Sequence, residues 1–159
     1  MKKQTEDWIL LADRDLYTAE LVIKDDHPLT NIIAFHCQQT IEKYLKAYFI
    51  EKDIPLVKTH DLIKLNGLIK ERTDVGIDED KLLAINEVYI DSRYPGELGL
   101  LPDGMPTDEQ VKKFIEYAKG IKTIVINAIK YRPSDETGQT LAKERNTPEE
   151  DEAWADLSL

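Results

Sequence analysis

The chain has 159 residues, with 31 Asp and Glu against 21 Lys and Arg, for a formal net charge of −10. That balance argues against a general polyanion binder, which needs a basic footprint. One cysteine excludes an intramolecular disulfide, and no paired Cys/His spacing suggests zinc or another metal. The first residues lack a signal peptide's apolar core and no 18-residue apolar run follows, so the reading is a cytoplasmic protein with no membrane span and no cofactor motif.

The length suits one domain with a tail, and a chain this size buries on the order of 70% of its unfolded surface. The tail, residues 132–159, sets three basic residues against eight acidic ones, a net of −5, and leaves −5 on residues 1–131. A mildly acidic body has room for a local basic pocket.

In chain order, the first helix is expected over about 5–24. Thr5 is placed to cap it, Glu6 and Asp7 suit the dipole's positive end, and Trp8, Ala12, Leu16, Ala19 and Ile23 form an apolar seam. The second helix begins near Pro28 to Thr30 and runs to about Lys52, where Asp53-Ile54-Pro55 breaks it. Its inward positions are Cys37, Ile41, Tyr44 and Tyr48. A third helix follows His60, with Thr59 as its candidate cap and Leu62, Leu65 and Ile69 at helical spacing. Thr73 to Ile77 reads as a loop.

The fourth helix starts near Asp78 or Asp80, carries Leu82, Leu83, Ile85, Val88 and Tyr89, and ends before Arg93. Residues 96–106 read as irregular. Thr107 and Gln110 form a capping-box pattern, and the fifth helix continues to about Tyr131. Its inward line is Val111, Phe114, Ile115, Ala118, Ile121, Val125 and Ile129. In the tail, Thr147-Pro148-Glu149-Glu150 could start a short helix over 148–157, with disorder as the alternative. No segment alternates as a sheet strand does. The fold class expected is all-α, an antiparallel up-and-down bundle of about five helices.

Four side chains repeat along the polar side of the second helix: His36, Gln39, Lys43 and Lys46. Repeated donors with a titratable ring suit a phosphate or a base. The plainer alternative is the solvated face of an amphipathic helix. Glu42 lowers the local positive potential and has the favourable order to pair with Lys46 at i, i+4. His60 either reaches the same cleft or serves as a local cap. Arg93 suits bidentate phosphate recognition, and Tyr94, held extended by Pro95, offers a stacking face. The alternative for Arg93 is an anchor on helix-end carbonyls or on Asp91. Cys37, on the apolar seam, reads as a small core hydrophobe.

Three pieces, taken together, resemble the HEPN family. They are Phe35-His36-Cys37-Gln38-Gln39-Thr40-Ile41-Glu42-Lys43-Tyr44-Leu45-Lys46-Ala47-Tyr48, then Thr59-His60-Asp61-Leu62, then Arg93-Tyr94-Pro95. The likeness covers about residues 5–131. It implies a HEPN-like bundle, a homodimer, and an associated minimal nucleotidyltransferase encoded elsewhere. The leading reading is a nucleotide-binding or partner-binding module in a two-component, toxin–antitoxin-like system, with His36, Gln39, Lys43, Lys46, His60, Arg93 and Tyr94 as ligand-binding residues. On that reading Arg93, Lys43 and His36 converge on one cleft between the second and fourth helices.

No residue is assigned a catalytic role. Ribonucleases of the family resemble one another in an Arg-x(4–6)-His motif, whose histidine serves acid–base chemistry and whose arginine stabilises phosphate charge. Here the histidines are His27, His36 and His60, and the one arginine before any of them, Arg14, lies 13, 22 and 46 residues upstream. No histidine follows Arg93, so the motif is absent. A degenerate or noncanonical ribonuclease toxin, with RNA as substrate, and a structural dimeric adaptor without ligand are the alternative readings.

Overall fold

The computed structural model describes residues 1–72, 75, 77–93 and 105–131, with residues 90–93 described as backbone alone. Five helices account for nearly all of it: α1 (Lys3–Val22), α2 (Thr30–Glu51), α3 (Leu62–Lys70), α4 (Glu79–Arg93) and α5 (Asp108–Lys130). No strand occurs among the described residues, and the all-α expectation holds. Residues 1–129 form one unit, and 130–159 are grouped as a second. The expected helix at 148–157 lies outside the described residues, as do Tyr94, Pro95 and most of the stretch between α4 and α5.

α2 is the central helix. Twelve of its 22 residues are buried, on more than one side, whereas α5 buries a single stripe of seven in 23. Tyr44, Tyr48, Phe49, Ile33, Ile41 and Leu45 are fully enclosed, each removal of such a side chain from water being worth roughly 1.5–3 kcal/mol. α1 lies along α2 for its whole length. The ties Thr5–Glu51, Asp13–Tyr44 and Asp15–His36 show the two helices to be antiparallel. α3 and α4 pack on α2 and on each other, again antiparallel, with Lys70 3.2 Å from Glu79 at one end and the Leu62 amide on Asn86 at the other. α5 runs antiparallel to α1 through Lys122–Asp13 and Lys119–Glu20, and Lys81 of α4 sits 5.2 Å over the Tyr117 ring.

Helix ends correct the sequence reading in three places. α1 starts at Lys3 with Lys2 as its N-cap residue, so Thr5 lies inside the helix and caps nothing. Its hydroxyl is buried and donates to Glu51 Oε2 at 2.8 Å, tying the start of α1 to the end of α2. α3 is capped by Asp61, which accepts from the amides of Ile63 and Lys64, while Thr59 accepts from Asp61 N and shapes the turn before it. α4 continues through Arg93. The proline restriction falls on the residue just before it, Tyr94, so Arg93 is still free to be helical.

Two ends follow their sequence signals. Thr107 and Gln110 form the reciprocal capping box, at 2.8 and 3.2 Å. α2 closes with Asp53 at φ 56°, where Ile54 N bonds to Phe49 O and Asp53 N to Ile50 O. That pattern is a Schellman motif with aspartate in place of the usual glycine, and the following Ile54 is tucked into the core.

Candidate functional site

The polar stripe of α2 divides around two carboxylates. The first is Asp15, which α1 turns inward. It stands three residues after Ala12 and four before Ala19, both on the buried seam, so helical geometry points it at α2. His36 Nδ1 lies 2.9 Å from Asp15 Oδ1, and the Lys43 ammonium donates to Oδ2. One carboxylate thus fixes two donors nearly two turns apart on α2. Both keep an edge in water, their side chains being 22% and 20% exposed. Two residues earlier on α1, the half-exposed Asp13 accepts from the Tyr44 hydroxyl and from Lys122. Burial, and then the Asp13 carboxylate, push the Tyr44 phenol up, so it stays a neutral donor.

The second carboxylate is Glu42, whose side chain is 4% exposed. Lys46 donates to Oε1 at 2.7 Å, and Gln38 Nε2 to Oε2 at 3.2 Å. The His60 ring nitrogen Nδ1 lies 3.1 Å from both oxygens. Gln38 also donates to the His60 carbonyl, and Gln39 donates to the Gln38 amide oxygen. The Lys46 ammonium also sits 5.7 Å over the Trp8 ring. This network pins the turn leading into α3 onto α2.

The predicted residues therefore fall as follows. His36 and Lys43 are brought together on Asp15. Lys46, Gln39 and His60 join a different cluster, on Glu42, with Lys46 and Glu42 in the i, i+4 pair anticipated from spacing. The His60 ring reaches α2 and does not cap α3, a role Asp61 takes. Arg93 closes the last turn of α4, and its side chain and Tyr94 lie outside the described residues. The helix that carries it can still be placed. Phe35, beside His36, meets Tyr89 with ring centroids 6.0 Å apart, and Arg93 follows Tyr89 by four residues, about one helical turn.

Sequence reasoning missed Asp15, Asp13 and Glu51. Asp15 had a legible signal, an acid at an inward position of an otherwise apolar seam. Asp13 and Glu51 had none, because their partners are far along the chain. Cys37 is fully buried, and desolvation pushes its thiol up to about 12, which leaves it a packing group and not a nucleophile. Among the described residues no group of His, Cys, Asp and Glu is placed to hold a metal ion, and no helix is long and apolar enough to cross a membrane.

The family model described as the HEPN domain matches residues 5–129. A crystal structure of an archaeal HEPN homologue superposes with a TM-score of 0.60 at 27% identity, covering 82% of this chain and 100% of that one. No curated protein matches the chain.

Proposed function

The chain belongs to the HEPN family, and on that premise we propose that it is a binding module for a phosphate-bearing ligand, homodimeric, and paired with a minimal nucleotidyltransferase in a toxin–antitoxin-like system. One observation carries the ligand reading. Asp15 holds His36 and Lys43 side by side at the surface of α2, while Phe35 packs on Tyr89, which brings the turn of α4 ending in Arg93 to the same half of α2. A nucleotide phosphate at that edge would meet donors whose directions are already set, which lowers the ordering cost of binding. Asp15 offsets part of the positive charge there, so the site favours a ligand met by several hydrogen bonds over a bare polyanion.

The binding reading is preferred to the catalytic one because the Arg-x(4–6)-His spacing is missing and the one thiol is buried and protonated. Titration with fluorescently labelled ATP tests it. Arg93→Ala should weaken binding about ten- to a hundredfold, the usual cost of one charge-assisted hydrogen bond, with the helical signal unchanged. Equal affinities would remove Arg93 from the site, and unfolding of the variant would assign it to structure. Incubation of purified protein with RNA covers the alternative: robust cleavage lost on His36→Ala or His60→Ala would replace a binding module with an enzyme. Co-purification with a nucleotidyltransferase encoded beside it tests the partner.

A further inference from the structure

The outward face of α1 carries a feature that the ligand site does not use. Leu10, Tyr17 and Leu21 are 51%, 60% and 47% exposed. At 100° per residue they fall within about 40° of one another, on the side of α1 opposite the buried Ala12, Leu16 and Ala19. Arg14 lies in the same stripe, so residues 10, 14, 17 and 21 step by four, three and four. That is the apolar seam of a helix that packs against another helix, with one arginine inserted.

The stripe is self-complementary in one direction only. We propose that α1 pairs with α1 of a second copy, antiparallel, about a two-fold axis that crosses the helix between residues 15 and 16. In that register Leu10 meets Leu21 of the other copy, Arg14 lies over the ring of Tyr17, and Asp7 faces Lys24, each contact occurring twice. A parallel pairing would set Arg14 on Arg14 and Asp7 on Asp7, like charges at close range. Two groups in the structure await such partners. Neither Arg14 nor Lys24 forms an ion pair among the described residues, though both are exposed. Asp7 pairs with its neighbour Lys3, at 3.1 Å, with both side chains more than half in water. At one end of the stripe Leu21 and Leu29 line a single hollow at the α1–α2 turn, and the two-fold delivers Leu10 of the other copy to it.

This pairing gives a face and a register to the homodimer proposed above and rests on that part of the reading alone. Its test is sedimentation equilibrium of the full chain, with melting temperature recorded for every variant. Wild type should be dimeric at micromolar concentration and Leu21→Glu monomeric but folded. Asp7→Lys and Lys24→Asp should each weaken the dimer by about tenfold, two rim pairs being reversed at once. The double variant should return to within about threefold of wild type, because the swapped charges attract again. A dimer that survives Leu21→Glu and ignores both reversals overturns the α1 pairing and keeps the homodimer. A wild-type monomer at 100 µM, a concentration of order a hundred times a micromolar Kd, overturns both, and leaves the nucleotide titration to judge the ligand site by itself.

Discussion

Asp15 and Glu42 serve the same helix face in opposite ways. Both are carboxylates that hold one lysine and one histidine, Lys43 and His36 on Asp15, Lys46 and His60 on Glu42. Asp15 comes from α1 and leaves its two donors with an edge in water. Glu42 comes from α2 itself, is 4% exposed, and is wrapped by donors from Gln38, Lys46 and the turn before α3. The first arrangement presents hydrogen-bond donors, and the second consumes them. A row of polar residues that looks uniform along the chain is thus one half presenting edge and one half internal clamp.

Removing each carboxylate separates the two roles, and the clamp should fail harder. Glu42→Ala leaves Lys46 without its counter-charge at 11% side-chain exposure, and breaking a buried pair in this way costs about 3–5 kcal/mol. Urea denaturation should show a midpoint shift of that size, with α3 losing amide-exchange protection first, since Glu42 holds its entry turn. A shift under about 1 kcal/mol, the worth of a surface pair, would erase the distinction. Asp15→Ala should cost less, about 1–3 kcal/mol, because the His36 and Lys43 it leaves behind both keep an edge in water. Asp15→Asn goes further into function: it removes a negative charge beside the proposed phosphate position, so labelled ATP should bind more tightly, while Glu42→Gln should leave that affinity alone. Equal effects of the two amides would mean the ligand does not distinguish the halves.

His60→Ala sharpens the contrast from within the clamp. Its ring is 72% exposed, so although it touches both oxygens of Glu42 its loss should cost less than about 1 kcal/mol. The buried carboxylate keeps Gln38 and Lys46 in any case. A larger loss would show that the ring, and not the lysine, satisfies Glu42.

A third carboxylate, Glu51, supplies a pH signature. The Lys2 backbone N–H, and next the Thr5 hydroxyl, hold its carboxyl below the usual carboxylate range. Because its folded value is depressed, its contribution to stability is complete above the unfolded value near 4.5 and fades as pH falls through the folded one. Glu51→Gln should therefore lower stability at neutral pH, where that contribution is complete, and converge on wild type as pH falls, which flattens the acid limb of a stability–pH profile. An unchanged acid limb would remove Glu51 from the tie between the first turn of α1 and the last turn of α2.

The five helices were readable because their signals are local. The seven inward positions between Val111 and Ile129 repeat at one period and all are buried, and Thr107 and Gln110 found each other across three residues. Cys37, Ile41, Tyr44 and Tyr48 are inside as their spacing required. Boundaries were less legible where a residue has two uses. Thr5 looks like a cap, and becomes a buried donor once Glu51 lies opposite it. Thr59 and Asp61 both resemble caps, and only the chain's path past Glu42 selects Asp61.

The sequence by itself determined the helices, their inward faces and the absence of the ribonuclease spacing, because hydrophobic period, caps and motif distance are properties of neighbouring residues. What the tertiary structure decided is which polar side chain meets which. His36 and Lys43 became a pair only when α1 placed Asp15 between them, and Lys46 left that stripe for Glu42. Charge partners are chosen by three-dimensional proximity, and an ion pair spanning 28 residues of chain, as between Asp15 and Lys43, has no periodic trace for the sequence to carry.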